Sequence, residues 1–144
     1  MRLSLALLAF LIPNIVLAIP HNSQLDEFSS YQEVHLHLSD DVSGGCWTNL
    51  KEVREYAEEK IKMSGMNLNA DGTHQFTFAI SAVGSRDSVG LCQGNVTVGL
   101  YSSIPLPNDV LGLLTIKELV ITFGSRSLNS NILDAVGRFF RKLE

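Results

Sequence analysis

Six stretches of this chain carry a readable hydrophobic period, and their order restricts the fold more than any other feature. Tyr31 to Ser39 alternates, with Val34, Leu36 and Leu38 on one side and Glu33, His35 and His37 on the other. Period two over such a length predicts a half-buried strand. From Trp47 to Ser64 the period changes. Leu50, Val53, Ala57 and Ile61 form one apolar stripe among Lys, Arg and Glu, which predicts a helix. Thr48 is the expected N-cap and Gly65 the expected stop. Phe76, Phe78, Ile80 and Ala82 alternate again, Gly84 to Gly90 reads as a turn, and Leu91 to Tyr101 reads as a third strand with Cys92, Gly94, Val96, Val98 and Leu100 on one face. Ser102 to Gly112 reads as a Pro-containing loop. Leu114 to Phe123 is a fourth strand. Ser130 to Leu143 is a closing helix with Ile132, Ala135, Val136, Phe139, Phe140 and Leu143 on its inner side.

The order β-α-β-β-β-α predicts a two-layer α+β sandwich: a four-stranded mixed sheet with both helices on one face. The first two strands, joined through a helix, should be parallel and right-handed. The opposite face carries His35, His37, Thr77, Ser81, Gln93, Asn95, Thr97, Tyr101 and Thr122 and should be wet. This topology has a consequence for the two cysteines. If the first strand runs upward, Cys46 precedes the helix at the top, and the third strand begins at the top with Cys92. Both thiols therefore reach one end of the molecule.

The compartment fits a disulfide. Arg2, the apolar run Leu3 to Ile12, and Val16-Leu17-Ala18 have the layout of a cleaved secretory signal over residues 1–18. That run is too short to span a bilayer, and no later segment approaches spanning length. Residues 19–30 read as a flexible leader, and residues 31–144 as one domain. Two cysteines in an exported chain predict a Cys46–Cys92 bond. The net charge is −4 with Arg2 counted, so the positive footprint of a nucleic-acid binder is missing.

No catalytic, phosphate-binding or dinucleotide motif occurs, and no cofactor is implied. Five features remain as candidates. His35 and His37, two apart on a strand, point the same way and could reach one metal ion, although a catalytic zinc takes three protein ligands. Asp40 and Asp41 precede a helix, but the oxygen spacing of a calcium loop is missing. Asn95-Val96-Thr97 is a glycosylation acceptor pattern, relevant only to a eukaryotic secretory path. Ile104, Leu106, Val110, Leu111 and Leu113 make the loop before the fourth strand unusually apolar, so it either covers the core edge or meets a partner. Trp47 either covers the disulfide or grips a ligand.

The expectation is a small exported, non-enzymatic protein-binding module, its partner another exported or envelope protein. The alternatives are a metal-binding or metal-dependent hydrolytic protein using His35 and His37, a small-ligand binder, or an inhibitor of a secreted enzyme.

Overall fold

A computed structural model describes residues 31, 33–69 and 75–141. The expected signal (1–18), the leader (19–30) and Leu143 lie outside the described residues. The elements are β1 (Glu33–Val42), α1 (Leu50–Met63), β2 (Asn67–Leu68), β3 (Phe76–Arg86), β4 (Cys92–Leu106), β5 (Val110–Ser125) and α2 (Asn129–Arg141). They form one mixed sheet in the order β2-β1-β3-β4-β5. β1 is parallel to β2 and β3, while β3–β4 and β4–β5 are antiparallel.

The α+β class and the mixed sheet agree with the expectation. The strand count does not: among the described residues there are five strands, not four. The extra one, Asn67–Leu68, pairs only Glu33 with Asn67 and Val34 with Leu68. Two residues are too few to show any period.

The row that faces the helices is the one the alternation marked. Val34, Leu36, Phe78, Ile80, Ala82, Val96, Val98 and Leu100 are buried in one cluster with Val53, Ala57 and Ile61 of α1 and Ile132, Ala135, Val136 and Phe139 of α2. Both helices therefore cover the same sheet face. Phe78 packs edge-on to Phe139, with ring centroids 5.2 Å apart, and lies 5.3 Å from Phe140. Such pairs add directional attraction to the area they bury. Met66 and Leu128, which belong to no periodic segment, are also fully buried.

The larger correction concerns Ser102 to Gly112. It is not a loop. β4 continues to Leu106, β5 begins at Val110, and the Pro107–Asp109 turn closes a hairpin. Asn108 takes the left-handed backbone the turn needs, φ 68°. Two prolines and a glycine argue for a loop on composition, but the register shows why Pro105 is tolerated. β3 pairs with β4 only as far as Phe76 with Ser102, and the Ser103 N–H still donates to the Gln75 carbonyl at 2.7 Å. Residue 105 aims its nitrogen the same way, past the end of that pairing, so a missing N–H loses no ladder bond.

The turn before β4 is also shorter than expected. Gly84 lies inside β3, and Asp87 builds the connection. Its carboxylate accepts from the Val89 N–H at 3.0 Å and the Leu91 N–H at 2.8 Å. An Asp side chain that bonds the backbone just ahead is a common turn device.

Both helices start at one end, and that end is tied several times. Cys46 and Cys92 form a disulfide, Cα to Cα 5.6 Å. The Leu128 N–H donates to the Cys46 carbonyl at 2.9 Å. Thr48 is not the cap of α1, which starts after Asn49. Instead its backbone N–H donates to Asn129 Oδ1 at 2.9 Å, and Asn129 Nδ2 donates to Thr48 Oγ1 at 2.8 Å. That reciprocal pair joins the two helix starts.

Arg86 supplies the widest tie. Its Nε donates to the Gly44 carbonyl at 2.9 Å and its Nη2 to that of Gly45 at 3.4 Å. Its Nη1 donates to the carbonyls of Gly90 at 2.8 Å and Arg126 at 3.2 Å. One guanidinium thus joins the loop before α1, the β3–β4 turn and the β5–α2 connection, a use suited to its planar fork of donors. Arg86→Ala should lower stability by about 1–3 kcal/mol. A lower urea midpoint with unchanged slope would show it. An unchanged midpoint would mean that water replaces those bonds at no net cost.

Candidate functional site

The sheet face away from the helices carries most of the expected polar residues. In register, His35 lies beside Thr77 and His37 beside Ala79, Ser81 faces Thr97, Thr77 faces Tyr101, and Asn95 faces Thr122. His35 and His37 share this face as the alternation required. Among the described residues, no group of three or more His, Cys, Asp or Glu side chains converges on a point that would hold a metal. Asn95 is exposed, and its Oδ1 accepts from Thr122 Oγ1 at 2.7 Å. Asp40 and Asp41 belong to β1 and not to a loop. The Asp40 carboxylate accepts from the Val42 N–H at 3.1 Å.

The middle of this face is closed by a contact that alternation does not reveal. The Tyr101 ring folds back over Gly99, where any Cβ would collide with it. The Tyr101 hydroxyl donates to Glu118 Oε2 at 2.7 Å. Burial, reinforced by the hydrogen bond and negative charge of Glu118, raises the phenol above its ordinary pKa. Tyr101 therefore stays neutral and acts as a lid on a glycine gap. A glycine two residues before an aromatic was the available signal.

Trp47 is 5% exposed and belongs to the core. The binding-surface reading of this residue is therefore corrected. Among the described residues its Nε1 has no hydrogen-bond partner.

The apolar segment has the most to offer a partner. Beyond Ser102 the β4–β5 hairpin runs on without β3 beside it, a four-residue extension of about 13 Å before the turn. The register pairs Ser103 with Leu113, Ile104 with Gly112, Pro105 with Leu111 and Leu106 with Val110. Both faces of this arm are consequently apolar. Leu111 is 73% exposed, Leu113 68%, Leu114 55% and Leu106 43%. Ile104 is half-buried, and Gly112 leaves space that the Leu106 and Ile104 side chains occupy. Val110 forms part of the β5 backbone at the foot of the turn. Asp109 is the only charged residue from 102 to 116. The leucines of this segment stand in the open.

A concavity of about 430 Å³ lies between the helices, lined by Glu52, Tyr56, Lys60, Leu133, Asp134, Gly137 and Arg141. Its charges largely satisfy one another. Asp134 takes Arg138 at 2.7 Å and Arg141 at 3.2 Å, and Glu52 accepts from Asn49 Nδ2 at 2.7 Å. Among the described residues, no helix is long and apolar enough to cross a membrane.

No family model matches this chain, and no curated protein matches it. Solved structures with a similar course include a variant PelC dodecamer from Paraburkholderia phytofirmans, at 12% identity and TM-score 0.45, covering 78% of this chain and 86% of that one. The hypothetical protein CT253 from Chlamydia trachomatis is 11% identical with TM-score 0.41, over 78% and 93% of the two chains. Lipoprotein GNA1162 from Neisseria meningitidis is 14% identical with TM-score 0.33, over 74% and 93%. All three scores lie below 0.5, and none of these likenesses extends a role to this chain.

Proposed function

We propose that this chain is an exported protein-interaction module that meets its partner through the β4–β5 arm. The observation that carries this reading is the exposure of Leu106, Leu111, Leu113 and Leu114 on a hairpin that leaves the body of the sheet. A run of exposed aliphatic side chains with one charge is costly in water and is uncommon on a monomer without a use for it. The module also has a firm base. The disulfide and the Arg86 ties hold the opposite end of the sheet, so the arm projects from a rigid body. Export is supported by the disulfide together with the signal pattern over residues 1–18.

Lipid is the less suitable occupant. The arm has two open strand edges among the described residues, and hydrocarbon would leave their N–H and C=O groups unpaired. A protein partner can add a strand and satisfy them.

The test is capture of exported proteins by the folded, oxidised chain. Leu106→Asp with Leu111→Asp should reduce capture at least about tenfold, with thermal unfolding nearly unchanged because both side chains stand outside the core. Capture that survives both substitutions in a folded protein would defeat this reading.

A further inference from the structure

We infer that the occupant of the arm is a second copy of this chain, added edge to edge along β5 about a two-fold axis at Leu113; this rests on the interaction reading above. The sheet has two outer edges, and they differ. The β1 edge is guarded. β2 covers its start, at Glu33 and Val34. Farther along it carries Asp40 and Asp41, and Asp40 engages the Val42 N–H with its own side chain. Charges and covers of this kind are how sheets resist added strands.

The β5 edge has no such guard at its arm end. Among the described residues β5 pairs only with β4, and from Val110 to Ile116 it holds no charged residue. Head-to-tail addition would need β1 as the receiving edge, which β2 covers at Glu33 and Val34 and which carries Asp40 and Asp41 farther along. Self-association through the sheet is therefore favoured as β5 on β5, which is isologous and closes at two copies.

The residues suit that operation. An antiparallel pair of β5 strands centred on Leu113 sets Leu113 against its own counterpart and Leu111 against Thr115 of the second copy. On the other face it sets Leu114 against Gly112 of the second copy, large against small. No like charges meet along the shared stretch, a condition that cross-strand pairing requires. The pairing brings Leu111, Leu113 and Leu114 of the two copies side by side and closes the open backbone edge.

The experiment is sedimentation equilibrium on the oxidised mature chain from low to high micromolar concentration, beside Leu113→Lys and Leu113→Cys. A dimer is expected for the native chain. Leu113→Lys sets two ammonium groups across the axis and should weaken the dimer at least about tenfold, with unchanged unfolding because Leu113 is 68% exposed. Leu113→Cys should give a dimer linked by a disulfide under air oxidation, whereas Val120→Cys, exposed on the same strand but off the axis, should not. A native chain that is monomeric throughout overturns the second-copy proposal. So does a dimer that Leu113→Lys leaves intact and Leu113→Cys fails to link. In either case, partner capture by the native chain separates the two claims. Capture that is lost in the Leu106→Asp, Leu111→Asp variant keeps the interaction reading with a foreign partner; capture that persists there ends both.

Discussion

Replacing Cys46 and Cys92 together by Ala should lower the unfolding free energy by about 4 kcal/mol, the entropy of leaving open a loop of 46 residues. Domains of this size have only about 5–15 kcal/mol in total. Unfolding should move down by about 10–20 °C. The loss should arise mainly in the unfolded chain. The folded end keeps Arg86, the Thr48–Asn129 pair and the Leu128–Cys46 hydrogen bond, so the circular dichroism of the folded variant should match the native protein. Both cysteines are fully buried, so the variant also loses some core packing, and the drop should not be smaller than the entropic figure. Thermal scans with and without a reductant, on native and variant protein, check this. Coincident scans of native protein and variant under oxidising conditions would show that the cross-link does not constrain the unfolded ensemble.

The second large effect is expected at Gly84. It faces Gly94 across the β3–β4 ladder. A Cβ on Gly84 would lie 2.5 Å from the Gln93 carbonyl oxygen and 2.9 Å from the Gly94 Cα. A Cβ on Gly94 would strike the Val83 carbonyl oxygen. The obstacles are backbone atoms held by strand pairing, so they cannot swing aside as a side chain end would. The sheet must open locally and give up ladder bonds next to the disulfide and Arg86. Gly84→Ala should therefore cost about 3 kcal/mol. Gly124→Ala is the matched control. It sits in β5 with nothing within 4 Å of the added methyl, and should be neutral within about 0.5 kcal/mol. Urea titrations of the two variants make the comparison. Equal midpoints would mean that the close approach of β3 and β4 relaxes without loss.

Gly84 also shows what a sequence reading misses. A glycine near other glycines and polar residues looks like a turn, because local composition is the only signal there. The reason for this glycine is non-local: it lies across from Gly94. Asn67–Leu68 was illegible for a related reason. Its pairing with β1 depends on where α1 delivers the chain, and two residues carry no period. In the arm, Pro105 and Pro107 argued for a loop. Antiparallel pairing with β5 overrode that, since Pro105 aims its missing donor where no strand requires it. Thr48 had the composition of a cap, yet its side chain was taken by Asn129, a partner 81 residues away.

The candidate surface was half legible. Ile104, Leu106, Val110, Leu111 and Leu113 stood out as too apolar for a loop, which is a property of composition. That they form a projecting hairpin, with Leu114 also exposed, depends on β3 ending at Phe76 while β4 and β5 continue. Trp47 could be read either way, because a large ring beside a cysteine serves equally as filler or as contact. Only its burial assigns it to the core.

The sequence by itself determined the α+β class, the face taken by the buried alternating residues, most of both helix stripes, though Leu50 stands exposed, and the meeting of Cys46 with Cys92. These follow from short-range periods and from the direction in which each element carries the chain. Tertiary structure alone decided the strand order, the guarded β1 edge and open β5 edge, the β3–β4 close approach and the length of the arm. Those depend on which backbone groups find partners across the sheet, and hydrogen-bond partners distant in sequence leave no mark in the local pattern of residues.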